Sequence, residues 1–89
     1  MTPGARIAAA IAVIDRIAAG EAAERALTNW GRGARYAGSA DRAAVRDLVF
    51  DALRCWRSAA AMGGGDGGRA RMIALLRLRG ADAPVLMKN

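Results

Sequence analysis

The chain has no histidine, a single cysteine and few aromatic residues among its 89 residues. Without histidine, a Ser-His-Asp triad and a histidine general base are excluded. Cys55 alone cannot form an intramolecular disulfide or a cysteine metal cluster, and the lack of histidine excludes nearly every zinc arrangement. We therefore expect no metal site and a reducing, cytoplasmic environment.

The remaining residues suited to catalysis have plainer interpretations. Cys55 lies beside an apolar stripe in the middle of a helix, without the base or cation that activates a nucleophile, so we interpret it as a packing residue. Asp47 and Asp51 are one helical turn apart, but Arg46 and Arg54 flank them, which favours solvated ion pairs. The sequence thus predicts no catalytic constellation, and this chain alone is not expected to be an enzyme.

Long hydrophobic runs are also missing. The stretch "RIAAAIAVI" is interrupted by Asp15 and Arg16, and its isoleucines recur at helical spacing, which is typical of one stripe of an amphipathic helix. A membrane span needs about 20 apolar residues. We therefore expect neither a secretion signal nor a transmembrane helix.

The glycine run at residues 63–68 matches the dinucleotide pattern G-x-G-x-x-G at Gly63, Gly65 and Gly68. That motif binds pyrophosphate only where a buried strand ends and a helix begins. Here a predicted helix comes before the glycines, and no Lys-Ser or Lys-Thr pair follows. We interpret the run as a flexible loop between helices.

What the chain has in abundance is Ala, Leu and Arg, which favour helices. The fold class predicted is all-α, a small bundle of four to five helices in one domain over residues 1–84, with 85–89 as the start of a truncated helix or linker. Thr2 and Pro3 open the first helix, which runs to about Ala19 before Gly20. The second helix is expected at about 21–30. The third should begin after an N-cap at Ser39 and continue for about 20 residues. The fourth is expected at about 69–79, and a fifth should begin at Asp82 and Pro84.

The burial pattern expected for these helices is that of an aliphatic core. The fourth helix should bury Met72, Ile73, Leu75, Leu76 and Leu78. In the third helix, Phe50 is surrounded by Arg46, Arg54 and Arg57, so it is either a stacking surface for RNA or part of a second buried face, and burial is favoured for a long helix in a small bundle.

The charge indicates a polyanionic partner. The net charge is +6 with a pI near 11.3, and every basic residue except Lys88 is arginine. Arginine suits phosphate contacts and base stacking, although a GC-rich genome also produces arginine without any such role. Residues 31–40, "GRGARYAGSA", are expected to form an irregular basic loop that leads into the third helix. The RNA-binding residues predicted are Arg32, Arg35, Tyr36, Arg42 and Arg46.

The segment "DRAAVRDLVFDALRCWR" resembles the central helix of the NusB-like domain. The resemblance lies in Asp41-Arg42, then Leu48-Val49, then the run Phe50–Arg54, in which Asp51 stands where the family has glycine. The first helix, "GEAAERALTNW" and "LLRLRGADAP" also fit. In these features the chain resembles the N-terminal domain of the RsmB/Sun family of ribosomal RNA cytosine-5 methyltransferases.

The resemblance implies an RNA-binding accessory domain that positions ribosomal RNA for a methyltransferase domain not contained in this chain. S-adenosylmethionine would be the cofactor of that second domain, and no cofactor is expected here. The alternative is a helical protein–protein interaction module of a transcription antitermination type complex. A DNA-binding helix-turn-helix is disfavoured by the long apolar stripe from residue 42 to 60.

A homodimer is a further expectation. Relatives close their core with more C-terminal helices, whereas this sequence stops at Asn89. That would leave a groove around Val49, Trp56, Ile73 and Leu76 uncovered, and an apolar groove recruits a second copy. Alternatively, Val85, Leu86 and Met87 fold back over it.

Overall fold

A computed structural model of the chain describes residues 1–56 and 67–78. The regular structure of these two ranges is helical: α1 (Pro3–Ala18), α2 (Ala23–Gly33), α3 (Ser39–Arg54) and α4 (Gly68–Leu78). The all-α prediction is confirmed. The predicted opening of a fifth helix at Asp82, the segment 85–89, and Gly63 and Gly65 of the glycine run lie outside the described residues.

The ends of α1 follow the predicted signals. The Thr2 hydroxyl oxygen accepts a hydrogen bond from the Ala5 amide at 3.1 Å, and Pro3 is the first helical residue. At the other end, Gly20 has a φ of +111°. Its amide donates to the carbonyl of Ile17, and the Glu21 amide donates to that of Arg16, so the last free carbonyls of the helix are satisfied.

Helix α1 lies at the centre of the bundle. It packs against each of the other three described helices, and α3 packs in addition against α4. Its burial is wider than the predicted isoleucine stripe, because Ala10 and Val13 are fully buried beside Ile7 and Ile14. The NusB resemblance led us to expect α3 in the central position. A helix with neighbours on several sides needs small residues between its large ones, and α1 supplies them as alanines.

Helix α2 starts and ends later than predicted. It begins at Ala23 and continues through Gly31, Arg32 and Gly33, which were expected to lie in an irregular loop. The connection to α3 is therefore short, residues 34–38. Ala26 and Leu27 are the buried residues of α2, and this helix packs on α1.

Helix α3 differs from its prediction at both ends. Its N-cap is Gly38 and not Ser39, and the Gly38 amide donates to the Asp41 carboxylate at 3.1 Å. The helix ends at Arg54, after 16 residues, so the expected unbroken helix of about 20 residues is wrong. Beyond that end, the Trp56 carbonyl accepts a hydrogen bond from the Arg71 guanidinium, a tertiary contact that the apolar stripe does not reveal.

Helix α4 packs closely on α1 at its first residue. Gly68 is buried, and its amide donates to Oδ1 of Asp15 at 2.5 Å. A Cβ atom at Gly68 would lie 2.6 Å from the Ile11 carbonyl oxygen. The glycine pattern had predicted a flexible loop at Gly68. This residue is instead the first residue of α4 and packs against α1.

The core runs between α1, α3 and α4, and its composition is mostly aliphatic, as predicted. Met72, Leu75 and Leu76 of α4 are buried and Ile73 is half-buried, whereas the side chain of Leu78 lies outside the described part. Arg71, which was not expected in the core, is only 5% exposed, and its guanidinium carbon lies 3.4 Å from the centre of the Trp56 ring. In this arrangement, the positive charge of the Arg71 guanidinium is attracted to the face of the Trp56 ring.

The groove expected to remain open is largely closed within one chain. Val49 is 0% exposed and Leu76 is 4% exposed, while Trp56 and Ile73 are half-buried. The premise of the homodimer is thus wrong for Val49 and Leu76, because both side chains are buried. Self-association itself stays a prediction.

Within the described residues, no helix has the length and apolar character needed to cross a membrane.

Candidate nucleic-acid interface

The segment 34–38 between α2 and α3 has an inner and an outer side. Ala34 and Ala37 point inward and are 1% and 7% exposed. Arg35 and Tyr36, between them, are exposed, and the Tyr36 side chain is 71% exposed. Two buried alanines therefore anchor the turn and leave an aromatic residue and a cation at its tip.

Arg42 holds this turn in place. Its Nε donates to the Ala37 carbonyl at 3.2 Å, and its Nη2 donates to the Ala34 carbonyl at 3.1 Å. Arg42 was predicted to contact RNA phosphates. In the structure, its Nε and Nη2 groups donate to the backbone of the turn, although Arg42 lies on an exposed position of α3.

A second anchor of the turn is Asp41 at the start of α3. Its carboxylate accepts from the Gly38 amide and pairs with Arg6 of α1 at 2.8 Å, and the α-amino group of Met1 lies 3.4 Å away. The Arg6 guanidinium, followed by the Gly38 amide, holds the pKa of the Asp41 carboxyl below its usual value. Arg6 is thus committed to a carboxylate, which links α1 to the α2–α3 connection.

Arg46 is also committed. Its Nη2 lies 2.6 Å from Oε1 of Glu24 and its Nη1 lies 3.2 Å from Oε2, so the two side chains form a two-point ion pair between α2 and α3. The same guanidinium lies 4.8 Å from the centre of the half-buried Phe50 ring. The hydrogen bond from Arg46 lowers the pKa of Glu24. The predicted neighbour Asp47 is not its partner, although Arg54 does pair with Asp51 as expected.

Arg32 and Arg35 differ from these arginines. Both side chains are exposed, and neither makes an ion pair or a side-chain hydrogen bond with any residue of the described ranges 1–56 and 67–78. Together with Tyr36 they form what we call the tip cluster: Arg32, Arg35 and Tyr36. These three predicted residues lie in the last turn of α2 and in the connection that follows it.

A cleft between α2 and α3 lies beside the tip cluster. Its volume is about 230 Å³, and it is lined by Leu27, Thr28, Trp30, Gly31, Arg42, Ala43 and Arg46. Trp30 is half-buried and packs partly against the core. The cleft therefore combines an aromatic side chain, a small apolar floor, a hydroxyl group and two guanidinium groups.

Sequence reasoning missed Trp30 and Glu24 as members of this region. Trp30 is partly buried against the core, and Glu24 lies in the first turn of α2. Their roles depend on how α2 and α3 are both placed on α1, and a separation of 22 residues between Glu24 and Arg46 leaves no local signal.

Other chemistry-bearing residues have structural partners. Cys55 is half-buried, and its thiol donates to the Asp51 carbonyl at 3.2 Å, in agreement with a packing residue. In the described part of the chain, no three His, Cys, Asp or Glu side chains group so that they could hold a metal ion.

Comparison with known proteins adds no relative: no family model matches the sequence, and no curated protein or solved structure matches it either.

Proposed function

We propose that this chain is an RNA-binding accessory domain that positions ribosomal RNA for a separate S-adenosylmethionine-dependent cytosine-5 methyltransferase domain. RNA binding is supported by the tip cluster, in which two arginines without an intramolecular partner in the described ranges come shortly before a 71% exposed tyrosine in the chain. The ribosomal substrate and the methyltransferase are supported by the NusB-like resemblance. In this proposal the chain supplies binding and the other domain supplies the cofactor and the chemistry.

The physical basis of the proposed RNA binding is that some arginines are paired with protein oxygens and others are not. Arg6, Arg42 and Arg46 already bind protein oxygens, so an RNA phosphate has to compete with those oxygens. Arg32 and Arg35 exchange only water and counterions for phosphate, and the released counterions drive binding. An exposed tyrosine beside them offers a ring on which an unpaired base can stack. Weak, salt-dependent binding of single-stranded or looped RNA is the expected behaviour.

The alternative, an interaction module that binds a protein through an apolar surface, has less support. Tyr36 is the exposed large hydrophobic residue that the described ranges offer, and the exposed Arg35 comes directly before it in the chain. An apolar docking face needs several such residues in one patch.

The test is the salt dependence of RNA binding. Arg32 and Arg35 changed together to Ala should lower the slope of log K against log salt concentration by about 1.4, because each single-strand phosphate contact contributes about 0.7. Arg42 is left intact, since its loss would release the turn. Fluorescence anisotropy with a short labelled single-stranded RNA between about 50 and 200 mM salt measures the slope.

The matched control removes two other exposed arginines, Arg69 and Arg77 of α4, with the same loss of charge. Both positions are far from the tip cluster along the chain. They lie on α4, which packs on α1 and α3. Equal slopes for the two double variants would show that binding depends on net charge and not on the tip cluster. Tyr36→Ala should weaken binding while leaving the slope unchanged, because tyrosine carries no charge.

A further inference from the structure

The cleft between α2 and α3 has the size and lining of a site for one planar group. Its volume of about 230 Å³ lies below the roughly 300–1,000 Å³ of pockets that bury drug-sized ligands. Leu27 and Ala43 supply apolar surface, Trp30 supplies an aromatic ring, and the Thr28 hydroxyl can donate or accept a hydrogen bond. An unpaired nucleobase, which is flat and carries polar edges, fits this combination.

The cations beside the cleft are already oriented. Two backbone carbonyls fix the Arg42 guanidinium through Nε and Nη2, at 3.2 and 3.1 Å. Its Nη1 lies on the side of Gly31, where a Cβ atom would come within 2.7 Å of it. Gly31 therefore leaves the space that this guanidinium occupies at the wall of the cleft. A group held in this way loses little conformational freedom when it binds a ligand.

The Glu24 carboxylate marks the place of an anion at the rim. Arg46 binds both of its oxygens, at 2.6 and 3.2 Å, which is the geometry in which arginine also binds phosphate. Both partners are well exposed, with side-chain exposures of 50% for Arg46 and 66% for Glu24. An exposed ion pair is weak, so a phosphate with more negative charge can replace the carboxylate.

We infer that the α2–α3 cleft binds one unpaired nucleotide of the RNA, with the base stacked on Trp30 and with Arg46 transferred from Glu24 to the phosphate. This inference rests on the proposed RNA-binding function. It assigns that function a site at which Glu24 competes with the RNA phosphate for Arg46. Glu24 occupies Arg46 in the free protein, and thereby lowers its affinity for phosphate in general. A nucleotide that also fills the cleft overcomes this competition, whereas a duplex, whose bases stay stacked in pairs, does not.

Trp30 fluorescence tests the site directly. Trp56→Phe leaves Trp30 as the only tryptophan of the chain, since the sequence has two. Binding of a single-stranded oligouridylate, followed in parallel by anisotropy of a labelled strand, should quench this fluorescence with the same midpoint. If anisotropy shows binding and Trp30 fluorescence does not change, the cleft is not the site. If anisotropy shows no binding at all, the proposed RNA-binding function fails as well.

Trp30→Phe and Trp30→Ala separate stacking from folding. The phenylalanine variant keeps a ring and should bind within a fewfold of the parent. The alanine variant should bind about 5- to 150-fold more weakly, the range that corresponds to one lost base stack. Circular dichroism establishes whether each variant is folded. Equal weakening in both variants, with both folded, would refute the stacking role.

The competitor role is tested by Glu24→Gln against Glu21→Gln. Both variants gain one positive charge, and both break an ion pair with an arginine, since Glu21 pairs with Arg16 at 2.7 Å. Glu24→Gln should bind oligouridylate about two- to fivefold more tightly than Glu21→Gln, the factor expected for one exposed ion pair. In an Arg46→Ala background this difference should disappear. Equal affinities of the two glutamine variants would refute the transfer of Arg46.

An acidic peptide is the other anion that could reach Arg46. Poly-glutamate is therefore titrated into the Trp56→Phe variant at the same ionic strength. We expect no quenching of Trp30, because a carboxylate side chain has no ring to stack. Quenching by poly-glutamate equal to that by oligouridylate would refute a nucleotide site and indicate a protein partner.

Discussion

Substitution of Gly68 by Ala perturbs a close contact between α4 and α1. The added Cβ would lie 2.6 Å from the Ile11 carbonyl oxygen and 2.7 Å from Oδ1 of Asp15. The Ile11 oxygen belongs to the backbone of α1 and cannot turn away, so α4 must move. The movement also lengthens the hydrogen bond from the Gly68 amide to Asp15, now 2.5 Å.

The size of the effect follows from these contacts. Forcing one extra methyl group into a tightly packed position costs about 1–3 kcal/mol. Alanine regains up to about 1 kcal/mol of helix propensity relative to glycine, and less at a first helical position. We therefore expect a net loss of about 1–2 kcal/mol in the free energy of unfolding, against a total of about 5–13 kcal/mol for a chain of this length. The midpoint of thermal unfolding should fall by roughly 4–16 °C.

Circular dichroism at 222 nm during heating, together with urea unfolding, measures the change. Gly67→Ala is the matched control, because it adds the same methyl group one residue earlier where no atom lies within 4 Å. That variant should change stability by less than about 1 kcal/mol, because the less flexible unfolded chain favours alanine whereas the position before the first helical residue favours glycine. If Gly68→Ala and Gly67→Ala unfold at the same temperature, the close approach of α4 to α1 is refuted.

Local signals predicted what depends on local geometry. The Thr2 cap, Pro3 at the first position and Gly20 after the last turn define α1 through contacts that span a few residues. Apolar spacing likewise placed Met72 and Leu75 in the core. These features were readable because the residues that satisfy each other are near neighbours in the sequence.

Long-range pairs could not be read in this way. Helix α3 ends at Arg54, and just beyond that end the Trp56 carbonyl accepts a hydrogen bond from Arg71, which lies 15 residues after Trp56. In the candidate site, composition identified arginines as a class but could not separate Arg35, which is uncommitted, from Arg46, which pairs with Glu24 across two helices. The partner of each cation is a property of the packing, and the packing determines which cations remain for RNA.

Two further changes test the core and the anchor of the α2–α3 turn. Met72→Ala should destabilise the fold by about 2–5 kcal/mol, because the side chain is 0% exposed, whereas the half-buried Ile73→Ala should cost less; urea unfolding of both variants checks the order. Asp41→Asn should change the dependence of stability on pH. The pKa of Asp41 is lower in the folded chain than its usual value, chiefly through Arg6, so the unfolded chain binds its proton first as the pH falls. The carboxylate therefore contributes stability above its unfolded pKa of about 3.9, and this contribution is lost as the pH falls through the lower folded pKa. Asp41→Asn should remove that part of the acid limb of a plot of unfolding free energy against pH, and Asp47→Asn, on an exposed position of the same helix, should leave it in place. An acid limb that is the same in the parent and in Asp41→Asn would mean that Arg6 and the Gly38 amide do not hold this carboxylate, and the turn that carries the tip cluster would then lack the anchor described here.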